Sequence, residues 1–539
     1  MVEPFTSRSG LQSLRVDGVA LHSPYDPAAE ARRFVRESLG PAPASTVLVL
    51  GEGLGFIGAA VAEAAPEARR VTVCYSAEVA RHAAPRADAS WSPSAAVGLG
   101  EFLRRTIGEL DVEGLRVIEW PASARIFPEE SRRANLAVRS VVRELNGSCA
   151  TAASAGRLWL RNAVLNLVSL EAVREGAPCA PQRPVVIAAS GPTLGRCLPD
   201  LAGVRSGIEL WALPSAAAAL AAAGLPPDLI VLTDPGHWAM VHLHVASVRC
   251  PVLMPLSAAR GTWRAAGPVR LLDQGTFIER ELLAAVGVEA PLAPPHGTVA
   301  ATALELALDA TGGPVTLAGL DLCSLDSRTH VVPNAFDSML RLDSGRLSPF
   351  DGLAYGRARA GESSSRVLDG TRVRLSRSLD TYAGWFAHRA STAPARIFRL
   401  HPSPVELPGA APIDGPGLTA LVASAPAGTP GPRLRPDPRW PAPEERRESA
   451  RGVLSRWARM LGQGAADAHA GSWVEALGAS PGLADLAWHT AARGLLDAKR
   501  RQRLGDSSGA QAAVVALLED ARAFVLSLRD RLAAGAAVP

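Results

Sequence analysis

The chain has 539 residues, 47% of them hydrophobic, and 56 basic against 52 acidic side chains leave a formal net charge of +4. That length suits two to four domains, and a near-balanced charge with no dense basic run gives no indication of nucleic acid. A single lysine, Lys499 in a basic helical stretch near the C-terminus, excludes both a P-loop and a pyridoxal Schiff base, because guanidinium stays protonated and cannot supply the amine.

Six cysteines, Cys74, Cys149, Cys179, Cys197, Cys250 and Cys323, lie far apart without a C-x-x-C pair. They read as reduced, mostly buried thiols. The N-terminus, MVEPFTSRSG, lacks the features of a secretory signal, and the Ala-rich runs are too broken by Pro and Gly to span a bilayer. The expectation is a soluble, cytoplasmic protein without membrane insertion.

Residues 1–180 are expected to form a Rossmann-like α/β domain. A helix is predicted over Pro27 to Leu39. From Thr46, TVLVLGEGLGFIGAAVAEA reads as strand, glycine loop and helix, and RRVTVCYSAE as a second strand. Gly51, Gly53, Gly55 and Gly58 permit close approach of a ligand, but the place of a ribose-binding carboxylate is taken by Tyr75 and Ser76, with Glu78 just beyond. The sequence favours an altered or empty loop over a working nucleotide site. Segments near Trp91 to Leu110, Val117 to Pro121 and Arg132 to Leu145 continue the alternation. A long amphipathic helix is predicted from Thr151 to Gly176, with Leu160, Val164, Leu167 and Leu170 on its apolar face. Trp159, Asn162 and Asn166 line a neighbouring face, where the asparagines are expected to hydrogen-bond across a domain interface.

Residues 181–401 alternate strand and helix again. Strands are predicted at Val185–Ala189, Ile208–Leu213, Leu229–Thr233, Val252–Pro255, Val269–Leu272, Val315–Leu320 and Ile397–Leu400, with helices at Thr298–Leu308 and Leu379–Ala390. In VVIAASGPTLGRCL the chain turns from a buried strand into a helix through Ser190-Gly191-Pro192-Thr193. That turn reads equally well as an ordinary connection or as a phosphate cradle at a helix terminus. In a parallel sheet Ser190, Thr193, Ser215, Asp234 and Asp321 would border one cleft. Asp234, before Pro235, is a candidate base or metal ligand, with a turn or cap role preferred. His237, His242 and His244 do not share a helical face, which argues against a zinc site there.

Residues 337–378, rich in Arg, Ser and Gly, are expected to form a lid or insertion beside the cleft. The twelve prolines between Pro402 and Pro443 predict a linker over 402–443. Residues 444–539 are predicted to be a helical domain, with amphipathic segments at Arg447–Leu461, Leu483–Arg503 and Ala510–Leu532, that docks a protein partner.

The series ASGPTL, WALPSAAAAL, PPDLIVLTDP, HGTVAATALELA and VTLAGLDLCSLDSRTH resembles, in order and spacing, the central domain of the motility-associated factor (Maf) glycosyltransferases, a group also labelled MptE-like. The resemblance spans roughly residues 46–405. It implies an α/β fold class with a Rossmann-like N-terminal domain, a central sialyltransferase-like domain on a mainly parallel sheet and a helical C-terminal domain. It implies transfer of a nonulosonic acid, of sialic, pseudaminic or legionaminic type, from a CMP donor to serine or threonine hydroxyls of flagellin.

Carried onto this chain, the resemblance makes Ser190, Gly191, Pro192 and Thr193 the holders of phosphate and cytidine, with Ser215 beside them. Gly297 and Thr298 follow His296, where the family commonly has Gly-Gly-Ser, and would present helix amides to the donor. Asp321 would contact donor sugar or nucleotide. His330 would be the base and Arg328 a fork for carboxylate or phosphate. No cofactor is required by this chemistry, and the sequence leaves a divalent metal open. A pterin pyrophosphokinase and a non-catalytic nucleotide-binding scaffold stand as alternatives.

Overall fold

The computed structural model describes residues 1–41, 43–83, 87–360, 363–368, 370–393, 395–426, 431 and 433–533, the side chain of Pro481 excepted. Positions 361, 362 and 369 of the Arg/Ser/Gly-rich stretch, 427–430 and 432 of the expected linker, and the end of the tail from 534 lie outside the described residues. The chain divides into two compact units. The first comprises Met1–Ser154, Ala465–Ala476 and Ala491–Leu518, and the second the remainder. The C-terminal helices Pro443–Ala470, Trp473–Gly478, Pro481–Arg503 and Ser507–Ala533 are thus shared between the units, which differs from the self-contained domain expected for 444–539.

In the first unit, β1 (Val2–Thr6), β2 (Gln12–Val16) and β3 (Val19–Ala20) form a small antiparallel sheet, where the sequence showed no regular pattern. The larger sheet contains β4 (Thr46–Leu50), β5 (Arg69–Val73), β6 (Ala89–Trp91) and β7 (Leu115–Glu119), all parallel in the order β6-β5-β4-β7. Because side chains alternate along a strand, Val47 and Val49 enter one apolar cluster while Leu48 and Leu50 enter another on the opposite face. Burial on both faces explains why β4 is a continuous apolar run.

The second unit is built on ten strands. In chain order they are β8 (Val173–Ala177), β9 (Val185–Ala188), β10 (Glu209–Ala212), β11 (Leu229–Val231), β12 (Val252–Pro255), β13 (Val269–Leu272) and β14 (Val315–Ala318). A separate antiparallel hairpin, β15 (Ser363–Leu368) with β16 (Thr371–Ser376), comes next, and β17 (Ile397–Leu400), β18 (Ala411–Ile413) and β19 (Arg433–Pro436) complete the large sheet. Its order is β18-β17-β14-β9-β10-β11-β12-β13-β8-β19, parallel throughout except for β19 against β8. The mixed α/β class with a mainly parallel sheet is therefore as expected.

Two segments depart from the sequence reading. The helix that contains Leu160 to Leu167 runs from Pro128 to Ser169 and stops there, so Val173–Ala177 is strand β8 rather than a continuation of the helix. Three backbone carbonyls at this helix end and its exit, those of Leu167, Val168 and Leu170, accept from the buried Arg446 guanidinium, which also bonds the Pro441 carbonyl ahead of its own helix; this satisfies groups a helix leaves unpaired. The expected linker over 402–443 instead supplies both edges of the sheet and the helix Gly415–Ala423. Edge strands tolerate Pro412 and Pro436, because one side of such a strand needs no donor.

The chain lays down β9 to β13 in one direction across the sheet, then returns to place β14 on the other side of β9. The carboxyl ends of β9 and β14 therefore flank a topological switch point, the position where open α/β sheets bind ligands.

Candidate active site

The Ser190–Thr193 turn sits at that switch point. Gly191 donates its N–H to the Gly319 carbonyl at 2.8 Å. A Cβ on Gly191 would stand 2.4 Å from that oxygen and 2.5 Å from Asp321 Oδ2, so only glycine allows the two strand ends to close so tightly. Thr193 then donates its backbone N–H to Asp321 Oδ2 at 2.7 Å and its hydroxyl to Oδ1 at 2.5 Å. Asp321 is 1% exposed. Burial raises its carboxyl above the usual range, opposed by hydrogen bonds from Thr193 and Ser403.

This changes two expected roles. The Thr193 amide and hydroxyl, assigned to a phosphate, are already bonded to a carboxylate of the protein. Asp321, assigned to the donor, is a buried clamp that fixes the turn to the neighbouring strand end, because both its oxygens accept from Thr193 and its surface is covered.

Half-buried groups surround the clamp. Ser215, in the turn after β10, donates its hydroxyl to Ser190 Oγ at 2.8 Å. Val331 donates its N–H to the Ser190 carbonyl at 2.8 Å, which brings the loop of His330 onto the same turn. His330 Nδ1 lies 2.9 Å from Thr329 Oγ1, and its ring packs 4.8 Å from Phe336. His242 meets the same phenyl ring edge-on at 4.8 Å, and Trp238 lies against it at 4.5 Å. The Arg357 guanidinium covers the Phe336 face at 3.6 Å.

Burial holds both His330 and His242 down to about 4, with the Arg357 charge acting in the same direction. His330 is therefore neutral at pH 7, but its proton affinity is well below the 6.5 expected from sequence. Of the histidine cluster only His242 joins this group. His244 is exposed and bonds the Met240 carbonyl, and among the described residues no group of three or more His, Cys, Asp or Glu is placed to hold a metal ion.

The remaining candidates lie further out. Asp234 is exposed and accepts the Gly236 N–H at 2.7 Å. This is an Asx turn before the His237–Ala246 helix, so the turn role holds and a catalytic one does not follow. Gly297, at φ +78°, lies beside the Tyr382 ring, and His296 packs on Trp385 at 4.7 Å. Thr298 starts the Val299–Ala310 helix without a side-chain cap. That helix precedes β14 and packs against it and β9, which sets its N-terminus toward the carboxyl ends of those strands. Arg328 is exposed at the end of a tight turn, closed by reciprocal Leu325 and Arg328 hydrogen bonds with Asp326 and Ser327 at positive φ.

Asn162 and Asn166 donate to the carbonyls of Pro235, Leu256, Ser257 and Ala258, all within the second unit. They hold loops after β11 and β12, a scaffold role rather than a bond between units. The cluster of Trp238, Phe336 and Arg357 was not legible in sequence. Its members are 119 positions apart or less, on three different helices, and no spacing links them.

At the switch point of the first unit, the glycine loop is closed. Glu52 Oε1 accepts the Gly55 N–H at 3.0 Å and Oε2 the Gly58 N–H at 2.9 Å. Glu52 is 3% exposed, and burial raises its carboxyl to about 7. The protein's own carboxylate thus occupies the helix terminus that a phosphate would use. Gly53 is shielded by His22, whose Nε2 would lie 2.5 Å from a Cβ placed there.

Residues 159–327 match the family model described as 6-hydroxymethylpterin diphosphokinase MptE-like. An uncharacterised protein of Treponema pallidum is 28% identical over 285 residues, which is 53% of this chain and 59% of that protein, so the match spans less than two thirds of the relative. Among solved structures, a Maf glycosyltransferase from Magnetospirillum magneticum AMB-1 superposes with a TM-score of 0.60 at 14% identity, covering 99% of this chain and 92% of the other. The chain thus carries an MptE-like central region within the fold of a Maf glycosyltransferase.

Proposed function

We propose that this protein is a glycosyltransferase that uses a CMP-activated nonulosonic acid and transfers the sugar to serine or threonine hydroxyls of a flagellin-like protein. The observation that carries the reading is the convergence of Ser190, Ser215 and, through the Val331 N–H, the loop of His330 on one turn at the switch point of a sheet whose overall fold is that of a Maf glycosyltransferase. The hydroxyls of Ser190 and Ser215, together with the uncapped Val299–Ala310 terminus, receive the donor's single phosphate. With its Nδ1–H donated to Thr329, His330 offers Nε2 to an acceptor hydroxyl. As the acceptor oxygen bonds the anomeric carbon, its proton passes to Nε2, the bond from that carbon to the phosphate oxygen breaks, and CMP leaves with the electron pair.

An imidazole near 4 is a weak base in the free enzyme. A donor with negative phosphate and carboxylate groups raises it on binding, by the same Coulomb effect with which Arg357 lowers it. The base is thus tuned by its substrate.

A thermal-shift panel tests the reading. Stabilisation by CMP and by a CMP-sugar, but not by ATP with a hydroxymethylpterin, is expected. The opposite pattern would favour the pterin pyrophosphokinase, and stabilisation by neither would overturn both enzymatic readings. His330→Ala is expected to keep donor affinity and lose turnover at least a hundredfold; normal turnover would remove its role as base.

A further inference from the structure

Arg357 stands out in the second unit because of what its guanidinium lacks. Its carbon lies 3.6 Å from the Phe336 ring centroid and 5.6 Å from that of Trp238, so its flat face is on an aromatic ring and its N–H edges point outward in the guanidinium plane. Among the described residues it makes no ion pair or hydrogen bond, although Asp337 is near enough to act on its charge. It is half-buried. A partly desolvated guanidinium without an acceptor is costly unless a ligand supplies one.

The ring that seats Arg357 also touches His330 and His242, which sets the cation one phenyl ring away from the proposed base and its Ser190 turn. From these contacts we infer that Arg357, seated on Phe336 and Trp238, is the carboxylate-recognition residue of the cleft, taking the carboxylate of an acidic sugar in a bidentate fork. The proposal rests on the donor reading for the identity of that anion. The proposed phosphate site is at Ser190 and Ser215, whereas Arg357 shares the Phe336 ring with His330, so the second anion of such a donor is the one assigned to Arg357. Arg328, exposed at a turn tip, is the less suitable fork, because water already serves its donors.

Calorimetric titration of the full chain with N-acetylneuraminate, its methyl ester and CMP separates the possibilities. The wild type is expected to bind the acid at least tenfold more tightly than the ester, and Arg357→Gln to erase that gap with CMP affinity held within twofold. Arg357→Lys, which keeps the charge but loses the fork, is expected to retain part of the gap. Should Arg357→Gln melt at a lower temperature than the wild type, Phe336→Leu keeps the guanidinium but removes its seat, and is expected to narrow the same gap. Equal binding of acid and ester by the wild type, absence of acid binding, or an undiminished gap in Arg357→Gln overturns the proposal; so does a parallel loss of CMP affinity, which would place Arg357 on the phosphate. Failure of CMP to bind while the acid-to-ester gap holds would instead overturn the nucleotide donor and leave the carboxylate site intact.

Discussion

At the carboxyl end of β4, the glycine loop folds onto Glu52 from within the loop itself; at the carboxyl end of β9, the Ser190–Thr193 turn is held by Asp321, which arrives from the neighbouring strand β14. In both places a buried carboxylate accepts N–H groups that a parallel sheet otherwise presents to an anionic ligand. The consequences differ. Glu52 fills the helix terminus and is itself 3% exposed, and the buried His22 stands against Gly53 of the same loop. Asp321 sits beneath its turn and leaves Ser190, Ser215 and His330 half-buried at the surface of the cleft. One carboxylate substitutes for a ligand, whereas the other shapes the floor on which a ligand can rest.

The strongest way to break this comparison is to remove the two carboxylates separately. Asp321→Ala leaves the Thr193 amide and hydroxyl buried without an acceptor, and is expected to cost about 3 kcal/mol in denaturant unfolding and to abolish CMP-sugar binding as the turn loses its anchor. Glu52→Ala is expected to cost a similar ~3 kcal/mol and yet, measured well below its melting temperature, to leave transfer unchanged. Loss of transfer in the Glu52 variant with stability intact would mean that the first switch point is functional after all.

A smaller effect is expected in the pH dependence of stability. The folded Glu52 carboxyl is raised to about 7 from 4.5, so the folded state holds its proton more tightly than the unfolded chain. That stabilisation is complete below about pH 4.5 and is lost as the pH rises through 7. Glu52→Gln should therefore lose less melting temperature than the wild type between pH 5 and 8, and parallel curves would contradict the buried plug.

The cleft histidines work in the opposite direction. His242 and His330 are lowered to about 4, so the unfolded chain takes up protons first and their stabilising share, complete above about 6.5, is lost as the pH falls toward 4. In kinetics, kcat/KM is expected to keep its acid limb near pH 4 and kcat to show it at higher pH, because the free enzyme and the donor complex report separately. A single limb near 6.5 in both profiles would remove the substrate-tuned base. The smallest effect belongs to Ser215→Ala, which deletes one half-buried hydroxyl. About 1 kcal/mol of donor affinity, read as a fivefold rise in KM, is expected, and no change in KM would exclude Ser215 from the donor site.

Much of the fold was legible because burial on both faces writes parallel strands as short apolar runs. Val252–Pro255, Val269–Leu272 and Ile397–Leu400 appear as predicted, and the other core strands shift by a residue or two at their ends. The edges were not legible. β18 and β19 carry prolines and little apolar patterning, and they are strands only because β17 and β8 present open edges to them. The same limit applied to Val173–Ala177, whose sequence VREGA continued the composition of the preceding helix but not its apolar face.

The residues of the cleft show where local information stops. Strand-end spacing brought Ser190, Ser215, Thr193 and Asp321 to one edge of the sheet, since chain direction in a parallel sheet fixes which ends coincide. Which of them meets solvent depends on pairings across 128 positions, such as Asp321 with Thr193, and those pairings reversed the expected roles of the two. Likewise, the sequence determined that Gly51–Gly58 is a glycine loop before a helix, but only packing against Glu52 and His22 decided that the loop is filled from within. Periodicity and turn chemistry act over a few residues and so are written in the chain; burial, and with it the proton affinity of His330 and the unmatched charge of Arg357, arises only when distant segments exclude water together.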